Sequence, residues 1–145
     1  MKIEKLAAVL AVQTLWFGFV VTINASPPES DSPPMVALSG VLKSKVEWGP
    51  PGFGETPKID SKVRIFVLKL REPRSAKQLS LSRDKKGEEF REIQLWCDSN
   101  AFPKCKSRLR ESVGHRITVV GQAARGAEPT DYLPVTLRVS LITSE

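Results

Sequence analysis

Between residues 35 and 142 apolar and polar side chains alternate in separate short stretches, and that two-residue period commits most of the chain to strands. The clearest stretch is 133–142, where Val135, Leu137, Val139 and Leu141 should point in and Thr136, Arg138 and Ser140 out. In 35–48, Leu38, Gly40 and Leu42 share one face, and Ser39, Val41 and Lys43 the other. A glycine in mid-strand suggests a bulge or a tight bend, as barrel strands need. A second strand is expected over 63–70. Its centre, Ile65-Phe-Val-Leu68, is apolar on both faces, which suits a buried strand or a switch of face. A third covers 91–97, with Ile93, Leu95 and Cys97 on one face and Glu92, Gln94 and Trp96 on the other. A fourth covers 115–123.

One segment has a different period. Over 101–113, Cys105, Leu109 and Val113 repeat at i, i+4 and i+8, the inward stripe of a helix. Asp98, Ser99 and Asn100 offer N-cap side chains, Pro103 suits a first turn, and Gly114 can close the helix. Gly49-Pro-Pro-Gly-Phe-Gly54 breaks the first strand. Residues 71–90 are polar and charged; brief alternation over 78–83 suggests a hairpin extension, and Asp84-Lys-Lys-Gly87 a turn. No internal repeat is present. The resulting order is three strands, a helix, then two strands. That order predicts a mainly β fold: a small OB-fold-like five-stranded barrel with one helix between strands three and four.

The N-terminus constrains the compartment. Lys2 and Lys5 precede an apolar run over 6–21, and Ala25 offers a small residue at an exit site, the layout of a secretory signal peptide. The run is short for a spanning helix, which needs about 20 apolar residues. A cleaved signal over 1–25 is the primary expectation; a retained anchor and a buried helix are the alternatives. Residues 26–34 carry four prolines and no apolar packing residue, and read as an exposed tether. The folded domain is expected over 35–145.

Export to a periplasmic or secreted location gives Cys97 and Cys105 an oxidising environment, where an even count reads as a disulfide. The short loop they close makes such a bridge worth about 2–3 kcal/mol. A zinc site is the weaker reading, because two cysteines and the single His115 leave a tetrahedral shell incomplete. The pair also lacks C-x-x-C spacing. Cys97, inward on its strand, and Cys105, inward on the helix, can meet at a strand–helix corner.

The sequence offers no assembled catalytic set. Dyads or triads built on histidine must use His115, no G-x-S-x-G surrounds a serine, and Gly49-Pro-Pro-Gly-Phe-Gly54 places prolines where phosphate-cradling N–H groups are needed. No catalytic residue, metal site or cofactor is therefore expected. The candidate binding residues are of two kinds. Lys104, Lys106, Arg108 and Arg110, followed by His115 and Arg116, crowd positive charge on and after the helix. Like-charge pairs at i, i+4 oppose the helix by a few tenths of a kcal/mol each, a cost that can mark an anion or acidic-partner surface. Trp48, Phe53 and Trp96 are the aromatics expected to be exposed, on a sheet face and loop where OB barrels stack ligands. The formal charge is +6 and stays positive once Lys2, Glu4 and Lys5 leave with the leader. In an exported protein that charge would meet envelope anions or proteins, and no nucleic acid is expected.

Several motifs occur together in one order: Leu38-Ser-Gly-Val-Leu42, Gly49-Pro-Pro-Gly-Phe-Gly-Glu55, Phe66-Val-Leu-Lys-Leu-Arg-Glu-Pro73, Glu92-Ile-Gln-Leu95 and Gly114-His-Arg-Ile-Thr-Val-Val-Gly121. In this the chain resembles a family of small secreted bacterial proteins classed only as a domain of unknown function. The resemblance implies a secreted OB-like module and brings no activity. The chain departs from the family where Arg74 replaces a cysteine and where Ala127-Glu-Pro-Thr-Asp-Tyr132 replaces a histidine-rich stretch.

Together these readings predict a non-catalytic binding module, first of a protein partner, as an inhibitor or envelope accessory factor. The alternatives are a binder of anionic glycan or lipid through the basic helix, and a small hydrolase.

Overall fold

A computed structural model describes residues 34–81 and 87–144. The expected leader, the tether up to residue 33 and most of the turn at 84–87 lie outside these residues. The elements are β1 (Met35–Trp48), β2 (Lys62–Ser75), β3 (Glu89–Cys97), α1 (Cys105–Glu111), β4 (Arg116–Arg125) and β5 (Val135–Ser144). The strands close into a barrel in the order β1-β2-β3-β5-β4. Every pairing is antiparallel except β3 with β5. The expected OB-like order, with its helix between β3 and β4, is therefore the observed one.

Closure depends on the length of β1. Its first half, residues 35–41, pairs with β4, and its second half, residues 40–48, pairs with β2. Gly40 lies in both ladders, opposite Leu70 on one side and Ile117 on the other. A Cβ there would stand 2.4 Å from the Lys69 carbonyl oxygen. The missing side chain lets the neighbouring backbone come close enough for one strand to turn round the barrel. Gly121 repeats the arrangement on β4, with its ideal Cβ 2.1 Å from the Arg138 carbonyl oxygen.

The alternation in β1 holds as expected: Leu38 and Leu42 are buried, and Ser39 and Lys43 exposed. Leu68, Ile93, Val119, Leu137 and Val139 meet these in the barrel interior, and each is fully buried. Cys105 and Leu109 join the same core from α1. Ala76 and Leu79 join it from the turn that follows β2, and both are fully buried.

Several local expectations fail for identifiable reasons. The helix spans Cys105–Glu111 and not 101–113, because 98–104 is taken up by turns. The Asp98 carboxylate caps the first of these, accepting from the N–H groups of Asn100 and Ala101. The stripe therefore ends at Leu109, and Val113, past the helix, is exposed. In β5 the inward set ends at Val139. Val120 pairs with Leu141 and Gly121 with Val139, so Ser140 is an extra residue and the facing reverses. Leu141 is 49% exposed and Ile142 only 4%. Residues 75–81 do not extend a hairpin; they form a turn that inserts Ala76 and Leu79 into the core.

Gly40→Ala is expected to lower unfolding free energy by about 1–3 kcal/mol or more, since relieving the clash means moving the Lys69 backbone. Urea unfolding of the variant, followed by tryptophan fluorescence, measures this; an unchanged midpoint would refute the close approach.

Candidate functional site

In OB barrels, ligands commonly meet the outer face of strands 2–3 and the loops after strands 1 and 4. Here those loops are residues 49–61 and 126–134. Much of that face is already covered. Ile65 and Val67, two outward residues at the centre of β2, are 6% and 0% exposed. Gln94, opposite Val67 on β3, is 2% exposed, although its strand position points it outward. Its side chain explains the burial. Gln94 Nε2 donates to the Thr130 carbonyl (2.9 Å), and its Oε1 accepts from the Tyr132 N–H (2.8 Å). The Tyr132 hydroxyl then donates to the Trp48 carbonyl at the end of β1 (2.9 Å). The chain thus reaches from β3 to β1 across β2, and residues 130–132 form a strap over the sheet.

The loop at 49–61 is organised by one carboxylate. Asp60 Oδ1 accepts from the Gly52 N–H (2.7 Å) and Thr56 Oγ1 (2.8 Å). Its Oδ2 accepts from the N–H groups of Gly54 (2.8 Å) and Thr56 (3.0 Å). Desolvation pushes the Asp60 carboxyl up, but the four hydrogen bonds outweigh it and hold the group below its ordinary value. The loop packs Gly54 against the Trp48 indole, and the Lys62 ammonium lies 5.1 Å from that ring's centre. Trp48 and Phe53 remain 37% and 39% exposed.

Trp96 lies in a different setting. Its indole N–H donates to Asp131 Oδ1 (3.0 Å), while Asp131 Oδ2 accepts from the N–H groups of Ala127 and Glu128. The ring is 40% exposed but its edge is fixed. It borders an open groove of about 550 Å³ over β3, β5 and β4. The register sets Trp96 beside Arg138 on β5, Arg138 beside Gln122 on β4, and Gln122 beside Met35 on β1. An aromatic ring, a guanidinium, an amide and a thioether thus form one row across four strands, about 14 Å long at the usual strand spacing. At the groove's rim, Arg125 grips Glu88 through two contacts of 3.0 and 2.6 Å.

Cys97, adjacent to Trp96, is joined to Cys105 by a disulfide with a Cα–Cα distance of 5.7 Å. The strand–helix corner is therefore covalently fixed. Lys106, Arg108 and Arg110 are exposed on α1 and Lys104 just before it, and the Arg108 guanidinium donates to the Ile142 carbonyl (3.1 Å). His115 is exposed in the turn before β4, where its carbonyl accepts from the Leu42 N–H. Arg116 opens β4 opposite Val41. The candidate residues thus fall into three groups: Trp48 and Phe53 at the first loop, Trp96 at the groove, and the basic residues at the helix and the start of β4. Arg138, Gln122 and Asp131 were missed from sequence, because only strand register and loop closure bring them to Trp96. Among the described residues, no group of three or more His, Cys, Asp or Glu side chains is placed to hold a metal ion.

Searches among known proteins found neither a family model nor a curated protein that matches this chain.

Gln94→Leu should remove both anchors of the strap, at a cost of about 1–3 kcal/mol, and make residues 126–134 the first site of limited proteolysis. Unchanged cleavage kinetics would contradict the strap. Asp60 also predicts an acid response. A carboxyl whose pKa is lower folded than unfolded adds stability above its unfolded value, near pH 4, and loses it as pH falls through the folded value. The Lys45 ammonium, 2.8 Å away, places Glu92 in the same class. Asp60→Asn should therefore flatten part of the loss of thermal stability below about pH 4; an acid limb as steep as the parent's would refute that role.

Proposed function

We propose that the chain is a non-catalytic binding module of the periplasm or secreted space, and that it recognises a segment of a protein partner in the groove beside Trp96. The observation that carries this reading is the row Trp96–Arg138–Gln122–Met35. Tryptophan, arginine and methionine are enriched at protein–protein contacts, and tryptophan and arginine dominate binding hot spots. The hydrogen bond to Asp131 and the neighbouring disulfide limit the freedom Trp96 would otherwise lose on binding. An open groove with mixed lining suits an extended polypeptide better than an enclosed small molecule. The disulfide is compatible with export, which the leader's layout also favours. The motif order shared with small secreted bacterial proteins supports the same location.

Site-specific photo-crosslinking tests the reading. A photoreactive residue at Gln122 should give a protease-sensitive adduct in envelope extract, and the same residue at Lys106 should not. Adding Trp96→Ala or Arg138→Ala should weaken the adduct at least about tenfold, the loss of more than about 1 kcal/mol that marks the minority of interface residues carrying the binding energy. Equal adducts from both positions, or indifference to Trp96, would reject the groove as the interface.

A further inference from the structure

A second recess lies between the middle of β1, the later part of β2 and the start of β4, and it shares no lining residue with the groove at Trp96. Val41 and Leu70 contribute to its lining, with Lys43, Lys69, Arg71 and Arg116 around them. The register explains the clustering. Val41 pairs with Lys69 on β2 and with Arg116 on β4, so two cations flank one half-buried valine. Lys43 lies two residues along β1 from Val41, and Arg71 two residues along β2 from Lys69. The alternation of strand faces turns Lys43, Lys69 and Arg116 to the same outer side; Arg71 lies past the last β1–β2 pair, where β2 shifts register against β3, and joins them in lining the recess. The turn carrying His115 docks beside them, because the Leu42 N–H donates to the His115 carbonyl and the Gly114 N–H to the Leu42 carbonyl.

Glu92 lies beside Lys69 in the register; its carboxylate is hydrogen-bonded to Lys45 at 2.8 Å and is also attracted to Lys43 and Lys69, so one carboxylate is shared among three lysines. Four exposed cations are thus gathered around one recess, where like charges repel. None of the exposed large apolar residues lies in this recess, so it offers nothing to insert into a bilayer.

We propose that this recess is a binding site for a linear polyanion, a flexible chain of repeated phosphate or sulfate groups threaded between Lys43, Lys69, Arg71 and Arg116. The site goes beyond the protein-binding groove and does not depend on it. It also moves anion recognition from the exposed helix, where the charge run first suggested it, to a concave surface built by three strands. A recess ringed by cations focuses potential more than a convex helix does, and each neutralised phosphate releases counterions.

The test uses the purified protein and fluorescently labelled inorganic polyphosphate, titrated between about 50 and 200 mM salt. Binding should weaken steeply with salt. Lys43→Gln/Lys69→Gln/Arg71→Gln should weaken it roughly tenfold and reduce the log–log salt slope by about 2. Lys69→Gln alone should give a smaller loss in the same direction, and unfolding midpoints should match the parent for all these exposed positions. Lys104→Gln/Lys106→Gln should change affinity by less than about twofold. Three results would overturn the proposal: no salt-dependent binding, a larger loss from the helix variant than from the triple variant, or binding to anionic phospholipid vesicles without binding to polyphosphate. A Trp96→Ala protein that keeps full polyphosphate affinity would establish that the two sites are independent.

Discussion

The double pairing at Gly40 is the constraint on which the barrel depends. A strand of ordinary length and curvature serves two neighbours along flat ladders, whereas β1 serves β4 with one half and β2 with the other. The changeover falls where the Lys69 carbonyl leaves no room for a Cβ. Without it, β2 and β4 would be edges, with unpaired N–H and C=O groups along their length. With it, the interior closes around Leu42, Leu68 and Ile117, all fully buried. The same bend sets Arg116 and Lys69 on either side of Val41, so the cation-ringed recess follows from closure itself.

The strap at residues 130–132 decides which outer surface is available. A buried glutamine with both ends of its amide paired is stable, whereas one left unpaired would be costly. Gln94 reaches the first condition by holding the Thr130 carbonyl and the Tyr132 N–H. The loop that would frame a ligand over β2 and β3 therefore lies against them. Asp131, within the strap, turns its carboxylate to the other side and fixes the Trp96 ring. One three-residue segment thus covers the sheet face most used by this architecture and prepares the neighbouring groove.

The strands and their order were legible because alternation in β1 and β3 reports which side faces the core, and one residue of slippage would reverse it, while the apolar centre of β2 marked a strand without marking its inner face. The disulfide was legible because Cys97 and Cys105 each lie on an inward position of adjoining elements. Register irregularities were not. The extra Ser140 in β5 leaves no mark in composition, yet it exchanges the roles of Leu141 and Ile142. Gln94 read as an outward polar residue because its partners are backbone groups 36 and 38 residues away. The site followed the same division. Trp96 was visible as an aromatic on a polar face, while Arg138 and Gln122 become its neighbours only through the parallel β3–β5 pairing and the β4–β5 ladder. The charge on α1 was visible too, but the Lys43–Lys69–Arg71 cluster is spread over two strands and forms only when they pair.

The two proposed sites differ in the kind of recognition they would perform. Trp96 is held at its ring edge by Asp131 and in its backbone by a strand that ends in a disulfide, so its geometry is set before any partner arrives. Such a group favours a partner of defined shape, because less side-chain entropy remains to be lost. The lysines beside Val41 are exposed, and each carries a long stem with many rotamers. They gain little from a rigid partner with fixed charge positions, since each would have to be ordered to meet it. A flexible polyanion imposes no such geometry and binds mainly by releasing its counterions, for which mobile cations suffice. The proposed groove and the proposed recess therefore do not compete on one small barrel, because they share β4 but no lining residue.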